Sequence, residues 1–246
     1  MGHEASVEGK AASVREMFDS IAPRYDALNR LLSFGVDDHW RRRAIRAVQR
    51  TEAHVVLDLA CGTGDMTRLL LKYSKTCEQV YAVDASRQML VHARAKAWPR
   101  GMREKVTFVE AGAESLPLED ESVGAVMVSF GVRNFADRSK ALREMYRVLR
   151  PGGGVVVLEF STPHGAIFKR LYKFYFRRCL PWVGGVISRD KKAYRYLPES
   201  VYAFPEGEAF LQELRGAGFV DGVSSRMTGG IATLYEARKP MVSEKQ

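Results

Sequence analysis

The chain alternates between short valine-rich apolar runs and segments in which apolar residues recur every three or four positions. A short apolar run predicts a strand that is buried on both faces, and the longer spacing predicts an amphipathic helix. This alternation indicates an α/β fold with a doubly wound, mainly parallel sheet. The predicted strands are 54–60, 79–84, 105–110, 123–130 and 153–160, and the predicted helices between them are 65–73, 86–97 and 137–149.

The pattern also divides the chain, because both ends and one internal segment depart from the alternation. A helical pair near the N-terminus breaks at Pro23, since proline cannot continue a helix. Two final strands, joined by a glycine turn, bring the predicted sheet to seven strands. The predicted divisions are 1–12 (disordered), 13–50 (N-terminal helical lid), 51–161 (sheet core), 162–205 (aromatic and basic helical insertion, a lid on the substrate side), 206–239 (helix and strand hairpin completing the sheet) and 240–246 (tail).

The first predicted strand runs into a turn that contains Gly62 and Gly64, and then into a helix. Without a Cβ, these glycines let a ligand approach the backbone, and the helix N-terminus offers its amides to that ligand. A dinucleotide fingerprint needs a third glycine where Thr67 stands. The second strand ends at Asp84, whose carboxylate can accept both hydroxyls of a ribose. A nucleoside without a required pyrophosphate indicates S-adenosylmethionine as the cofactor; the alternative is an ordinary strand–turn–helix with a surface aspartate.

The remaining candidate residues follow other strands. In a doubly wound sheet, ligands bind beyond the carboxyl ends of the strands. Asp84, the loop 111–114 and the segment 129–134 are all predicted to lie at that edge. Their convergence predicts one site there.

The composition limits the classes of binding partner and indicates the cellular compartment. The net charge is +9, but nine Lys and Arg, against two Asp and Glu, lie within 162–205, together with ten of the chain's aromatics. This mixture fits an anionic membrane surface or an apolar acidic partner as well as RNA. The first ten residues are polar and no run of 18 apolar residues exists, so neither a signal peptide nor a membrane span is expected. Three scattered cysteines indicate a reducing cytoplasm, and the histidines show no metal-ligand spacing.

Several longer segments carry a resemblance to one known family. These segments are MFDSIAPRYD (17–26), 29–35, DLACGTGD (58–65), SFGVRN (129–134), RVLRPGG (147–153), LEFS (158–161) and YRYLPES (194–200). The phrases SFGVRN, VLEFS and YRYLPES are the most specific of them. From about residue 14 to 239, the chain resembles the demethylmenaquinone and 2-polyprenyl-6-methoxy-1,4-benzoquinone C-methyltransferases of quinone biosynthesis, which belong to the class I S-adenosylmethionine-dependent methyltransferases.

The resemblance implies a class I, Rossmann-like methyltransferase fold and methylation of the ring of a polyprenylated quinol. It also implies a set of cofactor contacts. Two positions depart from the family pattern: Cys61 stands where glycine is usual, and Gly112 stands where Asp or Asn would meet the adenine amino group. The residues expected to bind the cofactor are Thr63, Asp84, Gly112, Ala113 and Ser129, with Gly62, Gly64 and Asp58 of the glycine turn.

Three residues are expected to act on the acceptor. A hydroquinone ring carbon becomes nucleophilic once a phenolic proton is lost, so the protein must align the transfer and assist that loss. Arg133 should face the pocket and stabilise a phenolate or hold a water, while Asn134 and Tyr25 should hydrogen-bond to the ring oxygens. The alternatives left open are a salt bridge of Arg133 with Asp137 or Glu159, and a packing role for Tyr25 in the lid.

Other functions remain as alternatives at this point. Nucleic-acid or protein methylation is favoured only by the net charge, and no nucleic acid is expected as a partner. Methylation of another lipid or small molecule, and a non-catalytic cofactor-binding role in a quinone-synthesis complex, stay open, as does a homodimer. Peripheral contact with an anionic membrane is expected from an aromatic stripe beside four cations, although the stripe is equally compatible with core packing. The stripe is Phe168, Leu171, Tyr172, Tyr175 and Phe176, and the cations are Lys169, Lys173, Arg177 and Arg178.

Overall fold

The structure is a computed structural model that describes residues 2–26, 33, 35–163 and 191–241. Seven strands form one sheet in the order β3-β2-β1-β4-β5-β7-β6. The first five strands are parallel, and β7 is antiparallel to both of its neighbours. The predicted seven-stranded, mainly parallel sheet is therefore confirmed. The strands are β1 (Val55–Leu59), β2 (Gln79–Asp84), β3 (Val106–Glu110), β4 (Val123–Ser129), β5 (Leu149–Phe160), β6 (Val220–Met227) and β7 (Ala232–Arg238).

Helices cover both faces of the sheet and the edge where its parallel strands end. Two of them precede the last two strands: α6 lies in the predicted insertion 162–205, and α7 lies in the predicted division 206–239. In the part of the chain that the structure describes, no helix is both long and apolar enough to cross a membrane. The helices are α1 (Gly2–Ile21), α2 (Asp37–Gln49), α3 (Asp65–Tyr73), α4 (Arg87–Ala95), α5 (Arg138–Val148), α6 (Lys191–Ala203) and α7 (Glu208–Gly216).

The core has two halves, because successive strand residues point to opposite faces of the sheet. Val56 of β1 packs in one cluster with α2 and with Leu70 of α3. Its neighbour Leu57 packs in the other cluster with Met145 of α5 and Phe210 of α7. Burial on both faces explains why the strands show continuous apolar runs rather than a polar and apolar alternation.

The N-terminus differs from the prediction. Residues 2–12, predicted to be disordered, belong to α1, which is one helix from Gly2 to Ile21. The sequence of this stretch is rich in Ala, Glu and Lys, which have high helix propensity, and it contains no proline. Lys10 also donates a hydrogen bond to the Phe135 carbonyl oxygen at 3.1 Å, which holds this part of the helix on the core. The predicted break is present, since α1 ends just before Pro23.

Strand β5 begins earlier than predicted. It starts at Leu149, which pairs with Val123, four residues before the predicted start at 153, and it continues through Gly153 and Gly154. Glycine is needed there because a Cβ on Gly153 would lie 2.8 Å from the Arg150 oxygen, and one on Gly154 would lie 2.6 Å from Thr51 Cγ2. Ladder hydrogen bonds use only the backbone, so these residues form a strand without an apolar signal.

The connectivity opens a crevice at one edge of the sheet. Strand β1 lies between β2 and β4, so the chain winds outward from β1 in both directions. The carboxyl ends of the parallel strands meet at this switch point, and in such sheets a ligand binds between them. The fold therefore places the candidate site at the ends of β1, β2, β3 and β4.

Candidate active site

A cavity of about 330 Å³ lies at the switch point, under α1. This volume is in the range of small-molecule sites, which is roughly 300–1,000 Å³. Of the eleven residues predicted for the site, the cavity brings together seven. These are Tyr25, Gly62, Asp84, Gly112, Ala113, Ser129 and Asn134.

The floor of the cavity is the glycine turn after β1. Gly62 has a φ of 54°, and Gly64, the residue before α3, has a φ of 79°. These are left-handed values that favour glycine. A Cβ on Gly62 would lie 3.7 Å from the Tyr25 ring, whereas one on Gly64 would face Ala93 and Trp98 instead. Gly62 thus lines the cavity, and Gly64 shapes the turn behind it.

Asp84 is the last residue of β2, and it lines the cavity. One of its carboxylate oxygens accepts the Gly62 N–H at 2.7 Å, and the other accepts the Ser86 N–H at 2.8 Å. Burial raises the pKa of the Asp84 carboxyl to about 6, although both backbone N–H groups oppose this shift. A carboxylate has about four lone-pair sites, so each oxygen can still accept one hydrogen bond from a ligand hydroxyl.

Asp58 lies beneath the turn and does not line this cavity. It accepts a hydrogen bond of 2.5 Å from the Thr67 hydroxyl. Burial raises the pKa of the Asp58 carboxyl to about 7, and the nearby Asp84 acts in the same direction. The Thr67 hydrogen bond and the Arg41 guanidinium act in the opposite direction.

Thr63 is also outside the main cavity, because its hydroxyl belongs to a charged cluster on the other side of the turn. It donates to Asp26 at 2.5 Å and accepts from Lys96 Nζ at 2.8 Å. Lys96 also forms ion pairs with Asp26 and Asp65. The cluster ties the segment after α1 to the glycine turn.

A smaller polar pocket of about 20 Å³ adjoins the main cavity. Tyr25, Gly62 and Ser129 line both spaces. Asp58 and Thr63 line only the smaller one, together with Arg41 of α2. Two of the four predicted residues that miss the main cavity, Asp58 and Thr63, therefore lie at its polar extension.

Arg133 is not on the cavity wall, contrary to the expectation that it faces the pocket. It forms a buried ion pair with Glu159 of β5 at 2.6 Å, which is one of the alternatives that the sequence left open. The same guanidinium donates to the Phe130 carbonyl oxygen at 2.5 Å and to the Ser200 hydroxyl at 3.3 Å. The reason is electrostatic: a carboxylate as buried as Glu159 requires a cationic partner.

Asn134 and Tyr25 do face the cavity. The Asn134 amide donates to the Phe130 carbonyl oxygen at 3.3 Å and accepts from the Tyr196 hydroxyl of α6 at 3.1 Å. Burial raises the pKa of Tyr196, so this hydroxyl is held as a donor. The Tyr25 ring meets the edge of Phe18 at 6.1 Å between centroids.

Helix α1 covers the cavity and is fixed at two points. Its Lys10 binds the Phe135 carbonyl oxygen. Its Asp19 accepts hydrogen bonds from the Ser86 hydroxyl at 2.6 Å and from the Gln88 N–H at 3.3 Å, at the start of α4. Four α1 residues contribute to the lining: Ala11, Val14, Arg15 and Phe18.

Comparison with known proteins assigns this arrangement to a family. Residues 6–239 match the ubiE/COQ5 methyltransferase family. The chain belongs to that family. The C-methyltransferase function of quinone biosynthesis that the sequence predicted, and its dependence on S-adenosylmethionine, are thereby confirmed at the level of the family.

Individual relatives of this ubiE/COQ5 family member agree. The demethylmenaquinone methyltransferase of Thermus thermophilus is 49% identical over 224 residues, which is 91% of this chain and 100% of that protein. The ubiquinone/menaquinone biosynthesis C-methyltransferase of Geobacter sulfurreducens is 44% identical over 230 residues, covering 94% of this chain and 90% of that one. A crystal structure of a SAM-dependent methyltransferase from Thermotoga maritima has a TM-score of 0.62 at 20% identity, with 92% and 99% coverage, and supports the fold.

Several residues of this family member's site were given no role from its sequence. Phe130 has a φ of 59°, a strained value for a bulky residue, and such strain gathers at functional sites. Its neighbour Gly131 leaves no room for a side chain, since a Cβ would lie 2.6 Å from Ala60. Lys96 and Glu114 hold loops together through partners distant in sequence, and no local pattern signals such contacts.

Proposed function

We propose that this chain transfers the methyl group of S-adenosylmethionine to a ring carbon of a polyprenylated quinol, demethylmenaquinol, the ubiquinol precursor or both. One observation carries the proposal. A single covered cavity joins the residues suited to a nucleoside, Asp84 and the Gly62 turn, to the residues suited to a quinol ring, Tyr25 and Asn134.

The described residues fit the cofactor. Asp84 has acceptor sites left for two ribose hydroxyls, and Gly62 leaves the floor of the cavity open because it has no side chain. The backbone of Gly112 and Ala113 borders the base, and Ser129 faces the methionine end. When bound, S-adenosylmethionine supplies a methyl group that its sulfonium already activates.

The acceptor side has to orient the ring and to favour loss of a phenolic proton. The Asn134 amide nitrogen carries two hydrogens and uses one for the Phe130 carbonyl oxygen, so the other can donate to a ring oxygen. Tyr196 fixes this amide because it donates to the amide oxygen. Tyr25, which lines the same cavity, is the second residue that we assign to the ring.

The proposed role of Arg133 follows from its contacts. Its Nη1 is engaged by Glu159 and by the Phe130 carbonyl oxygen, and its Nε by Ser200. Because Arg133 does not line the cavity, we assign it an indirect role through these contacts rather than a contact with the ring. Arg133 also holds the turn that carries Asn134. It cannot be the base, because a guanidinium stays protonated.

The polyprenyl tail of the acceptor is held in the membrane, because moving each CH₂ group from an apolar environment into water costs about 0.8 kcal/mol. The protein therefore has to meet the acceptor at the membrane surface. We assign this contact to the segment around Phe168 and Lys173. That stripe lies outside the described residues, so the assignment rests on the sequence alone.

Methyl transfer from labelled S-adenosylmethionine tests the function. The purified protein is offered demethylmenaquinol and a demethoxyubiquinol-type acceptor in detergent, with Asp84→Ala as the negative control. We expect labelled product from at least one quinol, and the ratio of the two rates identifies the preferred ring. No transfer to either quinol, by a protein that binds the cofactor, would rule the proposal out.

A further inference from the structure

The base of the cofactor has a predictable place in the cavity, given the proposed function on which this inference rests. The methyl group must lie where Tyr25 and Asn134 are, near the ends of β1 and β4. The ribose lies at Asp84, at the end of β2. Because β3 is the next strand outward, the base extends over the end of β3 and the loop that follows it.

That loop lacks a side chain at its central position. Gly112 lines the cavity without offering any side-chain hydrogen-bond partner. The space where its side chain would begin is bordered by another residue, since an ideal Cβ on Gly112 would lie 3.2 Å from Glu114 Oε2. Glu114 lines the same end of the cavity.

The Glu114 carboxylate is fixed through one oxygen only. Its Oε1 accepts the backbone N–H of Ala136 at 2.8 Å and that of Asp137 at 3.2 Å. Its Oε2 has no hydrogen-bond partner among the residues that the structure describes. The two N–H groups therefore hold a carboxylate whose second oxygen is left to accept from a ligand.

We propose that Glu114 determines specificity for the adenine base by accepting its exocyclic amino group at Oε2, in the role that a side chain at position 112 would otherwise have. An amino group is a donor and a carboxylate oxygen is an acceptor only, so the pair is complementary. Hypoxanthine has a carbonyl oxygen at the same place, and Glu114 repels it. The site thus distinguishes adenosyl from inosyl ligands.

The test compares the affinities of S-adenosylhomocysteine and S-inosylhomocysteine by calorimetry. The wild-type protein should prefer the adenosyl ligand by about tenfold or more, the usual value of a hydrogen bond to a charged group. Glu114→Gln keeps an oxygen for the two backbone N–H groups and turns an amide donor toward the base. It should abolish or reverse the preference.

A matched control is Glu110→Gln, which changes another cavity-lining carboxylate at the end of β3. The preference should survive there, and its loss in this variant instead of Glu114→Gln would overturn the proposal. An equal loss of affinity for both ligands in Glu114→Gln would also overturn it, because that result is expected if Glu114 only holds the loop in place.

A rescue experiment adds a second readout. Glu114→Ala should remove the preference, and Gly112→Asn in the same protein should restore it, since the removal of the carboxylate makes room for the asparagine. Failure of Gly112→Asn to restore any preference would contradict the proposed equivalence. If the wild type bound neither nucleoside, the proposed function itself would fall, and this inference with it.

Discussion

At the scale of single residues, the site is built on two carboxylates close to the glycine turn. Asp84 accepts from the turn and Asp58 lies beneath it, and burial raises the pKa of both. Each carries an unfavourable desolvation cost in its ionised form. A ligand that donates hydrogen bonds to Asp84 offsets part of that cost, which links cofactor binding to pH.

Replacement of Asp84 should lower the affinity for the cofactor without unfolding the protein. We expect Asp84→Asn to raise the Kd of S-adenosylhomocysteine at pH 8 by about tenfold or more, because it removes charged hydrogen bonds. In the wild type, affinity should fall as the pH drops below about 6, where Asp84 becomes protonated. Calorimetry at pH 5 and pH 8 measures both effects. Asp221→Asn, a change at an exposed carboxylate of β6, is the control, and an unchanged Kd in Asp84→Asn would remove Asp84 from the site.

Replacement of Asp58 should change the pH dependence of stability. Its folded-state pKa of about 7 lies above the unfolded value of 3.8, so the native state binds more protons between these values. Stability from this group therefore falls as the pH rises from about 4 to 7. Asp58→Asn should remove that slope and raise the free energy of unfolding at pH 8 by at least about 1 kcal/mol. Urea unfolding at pH 5 and pH 8 measures this, and an identical slope in the variant would contradict it.

At the scale of elements, the turn between β4 and α5 is the part that joins the cofactor side to the acceptor side. Glu159 of β5 fixes Arg133 within it, and Tyr196 and Ser200 of α6 contact Arg133 and Asn134. Two elements distant in sequence, β5 and α6, thus set the geometry of the turn 130–134. This explains why a strained φ persists at Phe130.

A double substitution separates the structural part of Arg133 from its part in the reaction. Arg133→Ala alone leaves Glu159 buried without its cation, which should cost about 3–5 kcal/mol of stability and most of the turnover. Glu159→Gln added to it should restore much of the stability but not the single-turnover rate of methyl transfer. The Kd of S-adenosylhomocysteine should stay nearly constant in the double variant. A restored rate there would show that Arg133 only neutralises Glu159.

The sequence predicts an element well when its signal is local. Strands β1 and β4 were found because burial on both faces leaves continuous apolar runs, and Asp84 was found because it ends an apolar strand. The first residues of β5 were missed, since the backbone of glycine pairs without any apolar pattern. Residues 2–12 were missed because their polar composition hid a high helix propensity.

The site shows the same limit. Gly62 and Ser129 could be placed from the positions of the strand ends alone. The orientation of Arg133 could not be chosen, because the sequence left open the cavity and a salt bridge with Asp137 or Glu159, and it does not show that Glu159, 26 positions away, is buried beside it. Glu114 was placed at the site as part of the loop 111–114 but was given no role, since its anchors are backbone groups 22 and 23 positions away.

At the scale of the whole molecule, the charge is uneven. The chain has a net charge of +9, and two groups of cations are candidates for an anionic surface. One group is the segment of Lys169, Lys173, Arg177 and Arg178, known here only as sequence. The other lies on described helices, where Arg42, Arg43 and Arg46 of α2 and Arg87 of α4 are exposed. The first group is interleaved in the sequence with Phe168, Leu171, Tyr172, Tyr175 and Phe176, so we expect it to combine head-group attraction with apolar contact.

Flotation with liposomes distinguishes the two groups. Binding of the wild type should increase with the fraction of anionic lipid and decrease with salt, because each cation near the surface contributes about 1 kcal/mol and the attraction is screened. Neutralising Lys169, Lys173, Arg177 and Arg178 to glutamine should abolish flotation and leave the Kd of S-adenosylhomocysteine unchanged. The matched control, glutamine at Arg42, Arg43, Arg46 and Arg87, removes the same charge and should float nearly as well as the wild type. An equal loss of liposome binding in both variants would indicate that net charge alone governs the attraction. If the wild type did not bind anionic vesicles at low salt, the membrane contact would be excluded.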